Sequence, residues 1–397
     1  MNEPLKRICI LGGGFGGLYT ALRLSQLPWE NSQKPEIVLV DKNDRFLFLP
    51  LLYELITEEL QTWEIAPPFA ELLADTSVKF HQGTVTGVDI ESKQVYLDNS
   101  PELSYDRLVL AIGGKTPLNI VPGAAEYAIP FRSIEDAYRL KEKLRELEAD
   151  DRDKIRIAVV GGGYSGVELI CKLADRLGEQ GRLRLIDRGD RILKTSPEFN
   201  REAALKTLRE KDIWLDLETT VTEVQADSIS LEYKGVVDTI PVDIVLWTIG
   251  TQVSELVERL ALPANKKGLL TITNTLQVTD NPDIFALGDL ADCRDATGQQ
   301  VDATAQVAFQ QSDYCAWNIW ASLTGRPMLP FRYQPLGEMM TLGIDTATLN
   351  GLGLKIDGNL AHLARRLIYL YRLPTLKHQL AVGFNWITQP AMDLMTK

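Results

Sequence analysis

Hydrophobic and polar residues follow two different periods along this chain, and each period predicts a different kind of element. A β-branched apolar run at 7–11 ends in glycines, as buried strands of α/β folds do. Residues 133–149 and 198–211 repeat apolar side chains at helical spacing and predict helices, the first with Ser133 as its N-cap. Residues 218–234 alternate apolar and polar side chains, which predicts a β-meander.

The strand, glycine loop and helix at the start of the chain occur a second time. Residues 6–18 read KRICILGGGFGGL and residues 154–167 read KIRIAVVGGGYSGV. Each copy is followed by a second strand that ends in an acid, and each unit closes with a similar strand and turn. The acids are Asp41 and Asp187, and the closing segments are 105–116 and 242–252. The repeat predicts an α/β fold with two Rossmann-like dinucleotide-binding domains.

The repeat also divides the chain, whose 397 residues are enough for two such domains. One domain is expected to consist of 1–125 and 269–350, and the second domain, 152–268, to be inserted into it. A helix within 126–151 connects them in this interpretation, and a basic C-terminal segment, 351–397, follows.

Both glycine loops have the spacing of a dinucleotide-binding fingerprint. The glycines permit a tight turn and let the backbone approach a pyrophosphate at the N-terminus of the next helix. The acid that ends the second strand then bonds ribose hydroxyls. The fingerprint residues are Gly12, Gly14, Gly17 and Asp41 in the first copy, and Gly161, Gly163, Gly166 and Asp187 in the second. Two complete fingerprints predict one site for a tightly held flavin and one for an exchangeable nicotinamide.

The flavin is expected in the first unit because of the segment 282–290, PDIFALGDL. A strand there ends in Gly288-Asp289, which resembles the second flavin motif of the two-dinucleotide-binding-domain flavoproteins. The resemblance implies that Asp289 accepts a hydrogen bond from the ribitol of FAD. An ordinary acid at a strand end is the alternative. No residue suggests a covalent link, so non-covalent FAD is expected.

The second loop leaves the choice of nicotinamide open. Asp187 favours NADH, because a carboxylate pairs with ribose hydroxyls and repels a 2′-phosphate. Arg188, directly beside it, is suited to holding that phosphate, although it is equally well explained as a solvated loop charge. The expected donor is therefore NADH or NADPH.

The charge distribution narrows the range of partners. A net charge of −12 argues against nucleic-acid binding. Residues 351–397 carry a net +4, which leaves −16 on the rest of the chain. No run of about 18 apolar residues is present, so no membrane-spanning helix is expected.

The four cysteines, Cys9, Cys171, Cys293 and Cys315, are too widely spaced for a redox dithiol or zinc motif, and buried thiols are expected. No histidine has a partner at ligand spacing, so no metal site is expected. A disulfide reductase also needs a cysteine soon after the first ribose acid, and 42–60 contains none.

Residues 46–55, FLFLPLLYEL, occupy that position instead. They resemble the FTPLLYEV segment of the type II NADH:quinone dehydrogenases, whose backbone lies beside the isoalloxazine, and this assigns Pro50 to the flavin. Four further segments resemble that family: GGGYSGVEL (161–169), VLWTIG (245–250), ALGDLAD (286–292) and TAQVAFQQ (304–311). The stretch 331–343, FRYQPLGEMMTLG, resembles a narrower branch, the cyanobacterial and plastid enzymes that reduce demethylphylloquinone.

The resemblance covers nearly the whole chain and implies catalytic roles. Ala305-Gln306-x-Ala308-x-Gln310 is the family's quinone-site pattern, and Gln306 and Gln310 are expected to donate to a quinone from one helix face. Glu168 is expected to serve the nicotinamide and proton handling. The alternative is that Ser165-x-x-Glu168 forms a capping box. Leu336 stands where the family usually has lysine, which puts the quinone head-group preference in question.

The C-terminal segment has the pattern of an interfacial helix. Leu360, Leu363, Leu367 and Leu370 recur at helical spacing, with Arg365, Arg366 and Arg372 between them. A basic, aromatic amphipathic stretch suits an anionic membrane surface, whereas packing on the core or on a homodimer partner is the alternative.

These features together predict a flavin-dependent NAD(P)H:quinone oxidoreductase. It would pass electrons from NADH or NADPH through FAD to a membrane quinone, such as demethylphylloquinone in phylloquinone biosynthesis, without proton pumping. Its expected location is the cytoplasmic face of a membrane, the plasma or thylakoid membrane if the source is cyanobacterial. A flavoprotein like the ferredoxin or rubredoxin reductases, or like the apoptosis-inducing factors, is the alternative.

Overall fold

The computed structural model describes residues 6–30, 34–98, 100–150 and 153–395, with side chains to residue 388. Residues 396–397 of the predicted C-terminal segment lie outside the described residues.

The strands, in chain order, are β1 (Arg7–Leu11), β2 (Glu36–Asp41), β3 (Val78–Gln82), β4 (Val85–Asp89), β5 (Gln94–Leu97), β6 (Leu103–Ser104), β7 (Arg107–Leu110), β8 (Gly114–Lys115), β9 (Ala128–Pro130), β10 (Ile155–Val160), β11 (Gly181–Ile186), β12 (Trp214–Asp216), β13 (Thr219–Val224), β14 (Ser228–Tyr233), β15 (Val236–Pro241), β16 (Ile244–Trp247), β17 (Gln252–Val253), β18 (Leu270–Thr271), β19 (Gln277–Val278), β20 (Asn281–Ala286), β21 (Ala291–Asp292), β22 (Glu338–Thr341), β23 (Ala347–Gly351) and β24 (Leu354–Asp357).

The α-helices are α1 (Phe15–Gln26), α2 (Thr62–Ile65), α3 (Phe69–Leu73), α4 (Ala124–Tyr127), α5 (Ile134–Ala149), α6 (Tyr164–Leu177), α7 (Glu198–Glu210), α8 (Glu255–Arg259), α9 (Ala305–Thr324), α10 (Gly358–Arg372) and α11 (Leu376–Met395). Short 3-10 helices occupy Leu49–Leu55, Gly178–Gln180 and Gly288–Leu290. The helices predicted at 133–149 and 198–211 are therefore confirmed as α5 and α7, and the meander predicted at 218–234 is confirmed as β13, β14 and β15.

The chain divides into two compact units. Unit 1 comprises Met1–Leu47, Ala66–Lys115 and Thr251–Gln334, and unit 2 comprises Phe48–Ile65, Thr116–Gly250 and Pro335–Lys397. These limits differ from the domains expected from the sequence, because the segments around residues 50 and 340 and the C-terminal helices pack within unit 2. Their side chains meet α6 and α10 there, as described below.

Unit 1 is built on a six-stranded sheet in the order β19-β20-β7-β1-β2-β3. The five strands from β20 to β3 run parallel, and only β19 is antiparallel. Strands β1, β2 and β7 bury nearly all their side chains, as expected of a parallel sheet covered on both faces. Helices α1 and α9 pack against each other on this scaffold.

Unit 2 repeats the parallel core with five strands in the order β12-β11-β10-β16-β9. The antiparallel meander β13-β14-β15 packs on one face of this sheet through apolar side chains that include Val160, Val221 and Val242. A second antiparallel sheet, β22-β23-β24, contacts α6, α7 and α10.

Helix α5 begins with the N-cap that the sequence predicts. The hydroxyl of Ser133 accepts a hydrogen bond from the backbone N–H of Asp136, whose carboxylate accepts in return from the N–H of Ser133. This capping box satisfies two N–H groups that the helix itself leaves unbonded.

Candidate active site

The first glycine loop joins β1 to α1 through contacts that only glycine allows. Gly12 has a φ of +99°, in the left-handed region. A Cβ on Gly17 would lie 1.7 Å from the carbonyl oxygen of Gly12. The chain's own packing therefore requires the first and third glycines of the fingerprint.

Gly14, the middle glycine, is under no such constraint. Its φ of −74° suits any residue, and a Cβ there would meet no described atom within 4 Å. A side chain would only fill the space in front of the first turn of α1, where Gly14 is the N-cap and provides no side-chain bond. The fingerprint places a pyrophosphate in that space, so the loop fits a dinucleotide such as FAD.

The carboxylate of Asp41 fixes this loop from the end of β2. One oxygen accepts from the N–H of Gly13 at 2.6 Å, and the other accepts from the N–H of Asn43 at 2.8 Å. The carboxylate is thus held beside the glycine loop, where the fingerprint expects the ribose hydroxyls.

The second loop, between β10 and α6, repeats this construction. Gly161 has a φ of +117°, and a Cβ on Gly166 would lie 1.8 Å from the Gly161 carbonyl oxygen. A Cβ on Gly163 would again meet nothing within 4 Å. The carboxylate of Asp187 accepts from the N–H of Gly162 and from the N–H of Gly189, each at 2.6 Å.

Arg188 lies beside this carboxylate with its side chain exposed. It has no ion-pair partner among the residues that the structure describes. Its neighbour Arg191, in contrast, is 3.7 Å from Asp190. The side chain of Arg188 is therefore exposed to solvent at the position next to Asp187 in the chain.

Asp289 lies in the 3-10 turn after β20, half-buried. The N–H of Gly288, whose φ is +74°, donates to the side-chain oxygen of Gln311 at 2.8 Å. Gln311 is only 1% exposed on α9. This buried amide holds the turn that carries Asp289, and the sequence reasoning overlooked it although it directly follows the glutamine pattern.

Gln306 and Gln310 both lie near the start of α9, half-buried. The side-chain oxygen of Gln306 accepts from the hydroxyl of Tyr333 at 2.7 Å. Gln310 clamps the backbone of Gln334, donating to its carbonyl at 2.8 Å and accepting from its N–H at 3.0 Å. Both amides therefore position the segment after α9, a role that the sequence did not predict.

The alternative considered for Glu168, a capping box with Ser165, does not form. Helix α6 begins one residue after its N-cap, Gly163, which makes no side-chain bond, so Ser165 already lies inside the helix. Glu168 instead faces the interior at 7% exposure, and its carboxylate accepts from the backbone N–H of Thr341 at 2.9 Å. The position of Glu168 is thus set by a contact across 173 residues of sequence.

Arg365, on α10, is completely buried beside Glu168. Its Nη1 lies 2.6 Å from Oε1 of Glu54, and its Nη2 donates to the carbonyl of Pro50 at 2.9 Å. The same Nη2 is 3.8 Å from the Glu168 carboxylate, and the guanidinium lies 4.8 Å from the ring centre of Tyr369. The expectation that Arg365 belongs to an exposed basic face is therefore wrong.

Lys172, one turn after Glu168 on α6, brings a second cation into this cluster. It is also completely buried, and its ammonium bonds the carboxylate of Glu59 and lies 3.9 Å from that of Glu54. We call Glu54, Glu59, Glu168, Lys172 and Arg365 the buried charge cluster. All five side chains belong to unit 2.

The members of the buried charge cluster differ in their protonation. Burial raises the pKa of Glu168 to about 7, because the opposing effects of Arg365 and the Thr341 N–H are smaller. Burial also disfavours ionisation of Glu54, but Arg365 and Lys172 outweigh it and hold the pKa of Glu54 below its usual value. Glu54 is therefore the ionised partner of Arg365, while Glu168 exchanges its proton near neutral pH.

The position of the family lysine is occupied by Leu336, which is 37% exposed. The cation that the structure puts beside Glu168 is Arg365 instead. Sequence reasoning did not predict that Arg365, Glu54 and Lys172 lie together. The one available signal was the presence of a charged residue inside an otherwise apolar run.

All four cysteines are separate buried thiols, as expected. Burial raises the pKa of Cys9 and of Cys171 to about 12 and that of Cys293 to about 11, and it also raises the pKa of Cys315. None of them forms a dithiol, so this chain has no disulfide with which to exchange electrons.

Comparison with known proteins agrees with this arrangement. The family model of the pyridine nucleotide-disulphide oxidoreductases matches residues 6–312. The demethylphylloquinone reductase NdbB of Synechocystis is 60% identical, over 99% of this chain and 98% of its own length. An alternative NAD(P)H-ubiquinone oxidoreductase of Arabidopsis thaliana, assigned to chloroplasts and mitochondria, is 42% identical over 98% of this chain and 81% of its own.

A solved structure extends the likeness to the fold. The structure of NDH2 from Plasmodium falciparum in complex with NADH superposes with a TM-score of 0.87, covering 97% of this chain and 98% of that one. At 18% identity this likeness shows the fold alone.

The match defines a flavoprotein of the pyridine nucleotide-disulphide oxidoreductase class that uses FAD and NAD(P)H. Within that class, the chain belongs to the type II NAD(P)H:quinone oxidoreductases, and the family expected from its motifs is confirmed. The ferredoxin-reductase-like and apoptosis-inducing-factor-like alternatives are correspondingly disfavoured.

We expect Glu168→Gln to reduce the pH dependence of the protein's folding stability between acidic and neutral pH. The folded carboxyl keeps its proton up to about pH 7, whereas the ordinary glutamate value is 4.5. The folded state therefore loses stability as the pH rises from about 4.5 to 7, by roughly 3 kcal/mol for this shift. Urea midpoints at pH 5 and pH 8 measure the loss, which should be smaller in the variant.

Glu202→Gln, an exposed position on α7, is the matched control and should keep the wild-type pH dependence. If the Glu168→Gln protein shows the same pH dependence as wild type, the carboxyl is already ionised at pH 5 and the assigned protonation is wrong.

Proposed function

We propose that this chain oxidises NADH or NADPH and reduces a prenylated naphthoquinone, demethylphylloquinone, at a membrane surface. The observation that carries the proposal is the presence of two dinucleotide-binding glycine loops in one chain whose cysteines form no dithiol. Electrons that enter from a nicotinamide must then leave to an acceptor other than a protein disulfide. The 60% identity to a protein named demethylphylloquinone reductase supports the choice of quinone, and with it a role in phylloquinone biosynthesis.

Unit 1 is proposed to hold the FAD. FAD held there would supply the two-electron chemistry that links nicotinamide oxidation to quinone reduction. Gly12, Gly14 and Gly17 would admit its pyrophosphate, and Asp41 would bond its ribose. Asp289 would bond the ribitol, in a turn that Gln311 keeps in place. Pro50, which the family resemblance assigns to the flavin, belongs to unit 2, where its carbonyl accepts a hydrogen bond from Arg365.

The second loop is proposed to bind the nicotinamide nucleotide. Gly161, Gly163 and Gly166 would receive the pyrophosphate, and the fixed carboxylate of Asp187 would take the ribose hydroxyls. The exposed Arg188 beside it supports NADPH as a second donor, because a guanidinium forms charge-assisted bonds to phosphate.

The quinone end is proposed to depend on α9, and proton handling on Glu168 of unit 2. Gln306 and Gln310 would polarise a quinone oxygen or hold the segment at Tyr333 and Gln334 that does so. Quinone reduction also takes up two protons. Glu168 is suited to supply one, since its pKa of about 7 lets it hold and release a proton near neutrality.

The C-terminal helices are proposed to contact the cytoplasmic face of the plasma or thylakoid membrane. Within the described ranges, no helix combines the length and the apolarity needed to cross a bilayer. Two exposed apolar stripes offer a shallower contact. They consist of Leu360, Leu363, Leu367 and Tyr371 on α10, and Leu376, Leu380, Phe384 and Ile387 on α11.

The stripes are held in place from the other side of the same helices. Arg365 anchors α10 in the buried charge cluster. On α11, His378 bonds the carbonyl of Glu64, and the indole of Trp386 donates to the Glu64 carboxylate at 2.8 Å. Lys377 lies exposed at the start of α11, which suits an anionic surface. Unit 2 thus presents these apolar side chains without any rearrangement of the two helices.

We expect Gly14→Val and Gly163→Val to separate the two nucleotides. Neither position is crowded by the protein, so each variant should fold and lose only the ligand whose pyrophosphate the new side chain displaces. Purified Gly14→Val should lack flavin. Gly163→Val should retain bound FAD that denaturation releases, and it should lose NAD(P)H binding. Loss of flavin in Gly163→Val but not in Gly14→Val would reverse the assignment.

We expect Gln310→Leu to slow flavin reoxidation by a naphthoquinone far more than flavin reduction by NAD(P)H. The substitution removes both bonds to Gln334 and one preorganised amide, and we expect a barrier increase of roughly 1–2 kcal/mol. Gln306→Leu should act in the same direction. Stopped-flow absorbance of the flavin follows both half-reactions in one preparation.

Gln299→Leu, an exposed glutamine elsewhere in unit 1, is the matched control and should leave both half-reactions unchanged. Reoxidation at the wild-type rate in both Gln306→Leu and Gln310→Leu would remove the quinone site from α9.

We expect Leu363→Glu and Phe384→Glu to release the protein from anionic vesicles, because each puts a charge into an exposed apolar stripe without touching Arg365. Removing all of 359–397 is a poorer test, since it also leaves Glu54 without its buried partner. Co-sedimentation measures the effect, with Ile120→Glu as an exposed control outside α10 and α11. If the variants leave sedimentation unchanged and instead lower the mass of the particle in solution, the stripes bind a homodimer partner.

A further inference from the structure

Unit 2 has a cavity of about 320 Å³ at the end of its parallel sheet opposite the second glycine loop. It lies where the strands β10 and β11 begin, whereas the nucleotide loop follows the carboxyl end of β10. Its volume is at the lower end of the range for small-molecule sites. The proposed function of the chain does not use this cavity.

The cavity interrupts an otherwise apolar face. Further along the same face, Val160 and Ile186 pack against the meander together with Val242. Arg184 lies two residues before Ile186 on β11 and therefore on the same face of the sheet. It pairs with Ala158 of the neighbouring strand β10. Residues two apart on a strand point to one face, so charged groups stand here where apolar ones would complete the packing. Such departures from the local pattern are expected at functional positions.

The pairing of β10 with β11 also places two further arginines side by side. Arg156 is directly opposite Arg182 on the neighbouring strand, and adjacent strands are only about 4.8 Å apart. Like charges directly opposite each other on neighbouring strands are unfavourable, and an anion bound between them would relieve this repulsion. Both residues line the cavity.

The acids of the chain only partly neutralise this group. Arg184 is paired with Asp216 at 2.9 Å, and Arg156 approaches Asp243 no closer than 4.0 Å. Arg182 has no ion-pair partner within the described parts of the chain. The lining includes one acid, Asp212, in addition to the cations. A positive cavity on a chain of net charge −12 is suited to an anion.

The remaining walls are apolar and aromatic. Ala158, Val242 and Pro241 line the cavity, and so does Trp214, whose side chain is 62% exposed. The guanidinium of Arg184 lies 4.7 Å from the centre of the Trp214 ring. A flat ring beside an apolar wall suits a planar aromatic group.

We propose that this cavity binds a small aromatic anion, a phosphate ester or carboxylate whose acidic group pairs with Arg182 and Arg156 and whose ring packs against Trp214. The cavity's volume of about 320 Å³ favours a small molecule over a protein segment. The ligand would bind apart from both glycine loops, so its effect on the protein is separable from nucleotide binding.

Titration calorimetry on the flavin-containing protein, saturated with NAD⁺ to fill the nucleotide site, tests the proposal with 1-naphthyl phosphate as the probe. We expect one saturable site per chain. Arg182→Gln should weaken binding about tenfold or more, the usual cost of losing a charge-assisted contact. Arg209→Gln, an exposed arginine at the end of α7, should bind as wild type does.

Two further measurements identify the chemical class of the ligand. Inorganic phosphate and octyl phosphate should each bind more weakly than 1-naphthyl phosphate, and Trp214→Leu should remove the advantage of the aromatic probe. Equal affinities in Arg182→Gln and Arg209→Gln, or no saturable binding at all, would overturn the proposal. Equal binding of the octyl and naphthyl esters in wild type would overturn its aromatic part.

Discussion

Unit 2 depends on one interaction above all, the fully buried pair between Arg365 and Glu54. Taking two charges out of water is costly, and the pair repays this only because further groups complete it. Here those groups are the Pro50 carbonyl and the face of Tyr369. Breaking such a pair by removing one partner typically destabilises a protein by about 3–5 kcal/mol, since the other charge stays buried and unpaired.

The same interaction links three parts of the sequence that are far apart. It joins the 3-10 helix at Leu49–Leu55 to α10, and it sets the environment of Glu168 on α6. The raised pKa of Glu168 is therefore a property of the packed cluster, because burial raises it while Arg365 moderates the effect. Glu168 can take up or release a proton near neutrality because the guanidinium lies closer to Glu54, at 2.6 Å, than to Glu168, at 3.8 Å.

The sequence predicted the parts of the molecule whose causes are local. A left-handed turn at Gly12, a close approach at Gly17 and an acid at the end of the next strand follow from backbone geometry within a few tens of residues. The internal repeat then predicted the second copy, and Asp187 makes the same kind of bonds as Asp41.

The predictions from the sequence were wrong where a distant segment determines the position of a side chain. Ser165 and Glu168 have the spacing of a capping box, but Thr341 offers Glu168 a buried N–H that local spacing cannot reveal. Helix α10 covers the leucine repeat from which a helix was expected, with Leu360, Leu363 and Leu367 exposed and Leu370 half-buried. The sequence pattern placed Arg365 in a basic stretch suited to an anionic membrane surface, because a helical pattern cannot reveal a partner 311 residues away.

The position of Arg365 in the chain also bears on biosynthesis. Arg365 is made 311 residues after Glu54 and 193 residues after Lys172. Domains generally fold as the chain emerges during synthesis, with N-terminal parts first. Unit 1 ends at Gln334 and can fold while the chain is still growing, but unit 2 has to wait for Arg365, the cation that lies nearest to the Glu54 carboxylate. A chain released early would therefore carry a strained, incompletely packed unit 2, and proteases that remove unfinished proteins would have a ready point of attack.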